Sequence, residues 1–295
     1  MKITVGFLAF GLGVLPAWGV ANIERYDVNK AVDYTQTSPS APTIHASFNL
    51  EAFIQPVSSV GSPSLDGGTG ATLTHSGGTV TTFNFDTSSK EFSYQQNFPD
   101  QASLDAAFVN GVFDFAFATL SPAASYNPSM TLTGDNYPSL SGGAVPFFTG
   151  LSTSDFSGGQ LQIDNSSNYT FNWNAFTGAT FNPDEYVFQV IDLGGAGTVD
   201  FQIFQSATTS HSIAAGTLTP GNSYIAQIWH RDVNVNTGAL GTPTVGQTSY
   251  ISRTTIPIAA VPEPSATVIV FGCLAVGGLI LHRRQTNVRS APTPV

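Results

Sequence analysis

Over residues 112–119 the side chains alternate with a regularity that only an extended strand can use. Phe113, Phe115 and Phe117 fall on one side, and Val112, Asp114, Ala116 and Ala118 fall on the other. Two residues is the side-chain repeat of a β-strand, so this run predicts three rings facing a core and one more open face behind them. Other alternating runs recur at 44–54, 79–85, 158–163, 168–176, 185–193 and 198–205, separated by clusters rich in Gly, Ser, Thr and Asn. Such punctuation predicts an all-β fold. One short helix interrupts it, with Asp100 as its cap, Leu104 and Phe108 on one face, and Asn110-Gly111 as its stop. Residues 36–43 read as an extended leader, 62–70 and 76–78 as loops, and 194–197 as a loose hairpin turn. The stretch 120–130 reads as a connection between two β-sandwich-like units. The first unit therefore spans 22–130 and the second 131–256.

Both ends carry membrane signals. Lys2, an apolar run at 3–15 and the small residues Ala17, Gly19 and Ala21 form the three zones of a secretory signal peptide, which places its end at residue 21. At the other end, a Pro-rich linker at 257–265 leads into the uncharged apolar run 266–281, followed by His282-Arg283-Arg284. Sixteen residues make a helix of roughly 24 Å. That is a little under the ~30 Å hydrocarbon core, a deficit that local bilayer thinning absorbs. The basic residues put the tail 282–295 in the cytoplasm and everything before the helix outside.

Val261-Pro262-Glu263-Pro264, the short apolar run and the pair Arg283-Arg284 together resemble the PEP-CTERM sorting tail of exported bacterial proteins. The resemblance implies recognition by an exosortase-like enzyme, cleavage near Pro262-Glu263-Pro264 and release to the cell surface or extracellular matrix. Such tails stop soon after the arginines, whereas this chain continues from Gln285 to Val295. A second resemblance lies at Leu218-Thr219-Pro220-Gly221-Asn222-Ser223-Tyr224, which is similar to the E–F corner of fibronectin type III domains. It implies a Tyr224 hydroxyl bonded back to the corner backbone, with Trp173 in the core of the second unit.

Residues 22–264 hold five basic residues (Arg25, Lys30, Lys90, Arg231, Arg253) against all nineteen acidic ones, a net charge of −14. That balance argues against nucleic acid and against docking on anionic lipid. The one cysteine, Cys273, sits in the apolar tail, so the exported part has neither disulfides nor thiolate ligands. His45, His75, His211 and His230 show no paired ligand spacing, and no metal or other cofactor is expected. His230-Arg231-Asp232 lacks the asparagine and glycine loop of a kinase site and reads as a strand end with a surface ion pair. Gly194 to Asp200 is a lone, misregistered relative of a calcium repeat. Asp184-Glu185 reads as a solvated turn. No nucleophile motif is present and no catalytic residue is assigned. Glycoside hydrolysis on two carboxylates, with Glu51, Asp100, Asp105 and Glu185 among the acids available, is one alternative. The other is a carbohydrate-binding or adhesive module acting in extracellular polysaccharide. For that role Trp229 is the candidate contact, because alternation from an inward Tyr224 turns it outward. The leading expectation is a non-catalytic surface or matrix protein.

Overall fold

The computed structural model describes residues 23–42, 45–56, 70–78, 80–86, 91–120, 123–139, 145–175, 184–195, 197–205, 208–237 and 245–261. The expected signal peptide, apolar span and basic tail lie outside these, with Pro262, Glu263, Pro264, Arg283 and Arg284; so does the 62–70 loop apart from Gly70. Among the described residues no helix is long and apolar enough to cross a membrane.

The chain begins with β1 (Ile23–Thr35), β2 (His45–Pro56), β3 (Ala71–His75), β4 (Val80–Thr82), β5 (Asn84–Asp86) and β6 (Glu91–Phe98). Helix α1 (Gln101–Ala107), β7 (Gly111–Leu120), β8 (Ala123–Tyr126) and β9 (Ser129–Leu132) follow. Next come β10 (Phe148–Thr149), β11 (Phe156–Ser157), β12 (Gln160–Asp164), β13 (Tyr169–Trp173), β14 (Asp184–Asp192) and β15 (Gly197–Gln205). The last strands are β16 (Ser210–Ile213), β17 (Ser223–Thr237) and β18 (Val245–Val261).

The fold is all-β and sandwich-like, and one ten-stranded sheet runs through it in the order β15-β14-β17-β18-β1-β2-β6-β5, with β12 beside the end of β18 and β11 beyond it. Two smaller sheets give it a second layer, β4-β3-β7-β8 with β9, and β10-β13-β16. Each closes its own apolar cluster. Val28, Leu50 and Phe92 pack with Phe113, Phe115 and Phe117 in the first, and Phe188, Ile228 and Ile256 pack with Phe171 and Trp173 in the second. Two sandwiches thus share one wall.

The join is made by the ends of the described chain. β1 lies parallel to β18, from Arg25 opposite Val245 to Thr35 opposite Thr255. A parallel pair cannot be made by a hairpin, and here the whole intervening chain is the crossover. Beyond Thr255 the neighbour of β18 changes from β1 to β12, which pairs from Ile258 to Val261. Pro257 falls in that gap, where its missing N–H breaks no ladder on that side. The Pro-rich linker expected from residue 257 is therefore corrected: 257–261 is strand, and Val261 ends it.

Two further boundaries change. Residues 120–130 are not a connection, because β8 and β9 both pair with β7 and bury Met130 and Leu132 in the first cluster. Tyr137, fully buried, belongs to that cluster as well, so the first core reaches past residue 131. The 79–85 run divides at Phe83: β4 pairs with β3 in the smaller sheet and β5 with β6 in the large one. Phe83, 5% exposed, is the pivot, its N–H bonded to the Ala71 carbonyl at 3.0 Å. Asp100 caps α1 as expected, its carboxylate accepting from the Ser103 N–H at 2.7 Å.

Candidate functional site

One face of the shared sheet is turned to the two cores; the other carries the three arginines of the described residues. Alternation dictates which residues appear there. On β1, Tyr26, Val28, Val32 and Tyr34 face inward with Lys30, leaving Arg25, Asp27, Asn29 and Asp33 on the outer side. Lys30, wholly buried, meets Asp105 of α1 at 2.5 Å. On β17, Tyr224, Ala226 and Ile228 are buried in the second core, which sends Gln227, Trp229 and Arg231 outward. Register then aligns the strands: Arg253 sits between Trp229 and Asp33, and Arg231 sits between Glu185 and Ile251. Three of the five basic residues of 22–264 therefore stand on this face.

Arg253 is its centre. Its Nε donates to Asp33 Oδ1 at 2.7 Å, and its Nη2 donates to Asp33 Oδ2 at 3.2 Å and to Glu51 Oε1 at 2.9 Å. The guanidinium lies 5.0 Å from the centre of the Trp229 ring. Burial works against its charge, but Glu51 and Asp33 outweigh that and hold its pKa above the ordinary value. Trp229 Nε1 donates to Gln227 Oε1 at 3.2 Å, and Gln227 in turn donates to Thr255 Oγ1 at 3.1 Å. Trp229 is half-buried. The guanidinium against its ring is held by carboxylates of β1 and β2.

Beside this stack lies a cavity of about 220 Å³. Its polar lining residues include Arg25, Asp27, Glu51, Gln55, Glu91 and Arg231. Its apolar ones are Phe53, Val187, Phe201, Ile203, Trp229 and Ile251. Phe201 and Ile203, on the edge strand β15, are 49% and 48% exposed. Asp27 is 1% exposed; Arg25 Nε stands 2.8 Å from its Oδ2, while its Oδ1 has no hydrogen-bond partner among the described residues. Burial pushes the Asp27 carboxyl up to about 6 against the pull of Arg25 and Arg231, with Glu185 adding to the rise. Arg231 Nη1 donates to Glu185 Oε2 at 2.8 Å, and its Nε is likewise buried without a partner among the described residues.

This arrangement corrects two expectations. His230, Arg231 and Asp232 lie within β17 at 1%, 5% and 2% exposure, so theirs is no surface ion pair at a strand end. Asp184 and Glu185 open β14, and Glu185 is recruited by Arg231 rather than left in a turn. The histidines are not gathered: His75 packs on Phe108 and Phe113, His211 lies 2.8 Å from Asp200, and His230 stacks on Tyr186. Among the described residues no group of three His, Cys, Asp or Glu is placed to hold a metal. The corner is built as its motif implied, with Thr219 N–H donating to the Tyr224 hydroxyl at 2.7 Å. Gly221, at φ +87°, takes the left-handed turn that corner needs. Arg25, Asp27 and Arg253 escaped the sequence reading. The signal that could have found the first two is the polar half of β1, where 25, 27, 29 and 33 alternate with Tyr26, Val28, Val32 and Tyr34.

No family model matches the chain, and no curated protein matches it. Among solved structures, a cytokine receptor complex is similar at 8% identity, over 80% of this chain and 98% of that one, with a TM-score of 0.18. The ligand-binding domain of human OSCAR is similar at 11% identity, over 78% of this chain and 98% of that one, with a TM-score of 0.21. Superposition at that level carries no argument about either fold or ligand.

Proposed function

We propose that this chain is an exported, non-catalytic surface or matrix protein, sorted through a PEP-CTERM tail and processed by an exosortase-like enzyme. The observation that carries this reading is the order of Val261-Pro262-Glu263-Pro264, an apolar run and Arg283-Arg284 in a chain that also opens with a signal-like stretch. A cysteine-free body held by β-ladders and apolar cores is consistent with folding after export. We read its second unit as fibronectin type III-like, on the support of the Tyr224 corner and the buried Trp173. The test is Glu263→Ala in the native host. More uncleaved, membrane-held protein supports the sorting role; unchanged mass and location in that variant removes it.

The half-buried Trp229 beside a cavity favours a second reading, in which the exported body binds carbohydrate. Hydrolysis has less support, because each acid of the cavity already has a cationic or amide neighbour. Asp27 pairs with Arg25, Glu51 pairs with Arg253, and Glu91 accepts from Gln55 at 3.4 Å.

A further inference from the structure

The cavity on the outer sheet face is lined by three buried polar atoms that the fold leaves without a hydrogen bond: Arg25 Nε, which has only its ion pair with Asp27, and two of opposite kind on Asp27 and Arg231. Asp27 Oδ1 is an acceptor without a donor, and Arg231 Nε is a donor without an acceptor, among the described residues. Leaving such groups unmade is costly, and the neighbouring Arg253, Asp33 and Glu51 have their partners. A hydroxyl group is donor and acceptor at once, so hydroxyl groups satisfy both. A metal cation is disfavoured by Arg25 and Arg231, and an anion by Asp27, Glu51 and Glu91, all on the same walls. What remains is an uncharged ligand rich in hydroxyls. The apolar lining residues Trp229, Val187, Phe201 and Ile203 ask for an apolar face on that same ligand. A sugar ring has both, with C–H bonds on its face and hydroxyls at its edge. A cavity of about 220 Å³ lies below the ~300–1,000 Å³ of sites for drug-sized ligands, and suits one ring.

We propose that this cavity is a subsite for a single neutral sugar ring of a longer polysaccharide, stacked on Trp229 and hydrogen-bonded through its hydroxyls to Asp27 and Arg231. This rests on the carbohydrate-binding reading of the same face. Arg25, whose side chain is 34% exposed, has its Nε 2.8 Å from Asp27 Oδ2, and in this reading it turns aside to admit the ring. The cavity opens toward the edge strand β15, where Phe201 and Ile203 extend the apolar wall for the next unit of the chain.

The test uses the full chain in a zwitterionic, sugar-free detergent. Retention is measured on immobilised neutral polymers (a glucan and a mannan) and on a polyuronate, with indole fluorescence followed as the free monosaccharides are added. The expected result is retention on a neutral polymer and a saturable change in fluorescence. Asp27→Asn and Trp229→Phe should each weaken retention about tenfold or more. Phe201→Ser, at an exposed position that leaves the fold intact, should weaken it several-fold. Retention by the polyuronate alone would overturn the neutral-sugar assignment. Retention unchanged in all three variants would overturn this cavity while leaving carbohydrate binding standing elsewhere on the body. No retention on any polymer would overturn both the subsite and the carbohydrate-binding reading.

Discussion

Replacing Arg253 with methionine keeps most of the side-chain volume and removes the charge that organises the outer sheet face. Three hydrogen bonds go with it, at 2.7, 3.2 and 2.9 Å, and so does the guanidinium 5.0 Å from the Trp229 ring centre. The two carboxylates left behind are not equivalent. Asp33 keeps the Ser47 hydroxyl at 3.1 Å and the Asn49 amide at 2.5 Å, whereas Glu51, 6% exposed, loses the cation that neutralises it. Breaking a buried pair from one side costs about 3–5 kcal/mol, and losing the cation over an indole adds about 0.5–2 kcal/mol. We therefore expect Arg253→Met to lower the stability by about 3.5–7 kcal/mol in urea unfolding followed by tryptophan fluorescence. Adding Glu51→Gln to that variant should return about 1–3 kcal/mol, because it removes the stranded charge rather than restoring a contact. An Arg253→Met protein within about 1 kcal/mol of the parent, or a second substitution that costs more instead of recovering, would show that this network does not support the fold.

Tyr224→Phe should cost about 0.5–1.5 kcal/mol in the same unfolding assay, by removing the hydroxyl that accepts from the Thr219 N–H, and an unchanged midpoint would refute the corner's role. Asp27 predicts a pH signature. Its folded pKa of about 6 lies above the unfolded value, so its contribution is complete below about pH 4 and lost as pH rises through 6, about 3 kcal/mol in all. His230, pushed down to about 4 by burial, acts with the opposite sign over the same window. Asp27→Asn should unmask it, so that melting temperature falls more steeply from about pH 7 to pH 4 than in the parent; parallel profiles would contradict the burial argument.

Some of this was legible in the sequence and some could not have been. The rings of 113, 115 and 117, the Asp100 cap and the Tyr224 corner rest on neighbours within a few residues, and local pattern suffices for them. The 120–130 stretch misled because its prolines read as turn, yet the Pro128 carbonyl accepts from Phe115 N–H at 2.9 Å as the chain turns back along β7. The arginine cluster is a different case. Arg253 meets Asp33 across 220 residues and Glu51 across 202. Which acid an arginine meets there is decided by strand order and register, and neither leaves a mark on the local pattern. Even so, three arginines among five basic residues was a compositional hint toward bidentate pairing with carboxylates.

The parallel seam between β1 and β18 also fixes how the body would carry a load. Pulled by Ile23 at one end and Val261 at the other, the two strands are drawn past each other along their length. All eleven residue pairs of the seam, from Arg25–Val245 to Thr35–Thr255, are strained together. Nothing can peel open one bond at a time, as a hairpin pulled from its free ends would. Force applied along that line meets the shear strength of the whole ladder, reinforced by the Arg253–Asp33 clamp bridging the same two strands. A body joined in this way is built to stay folded under tension.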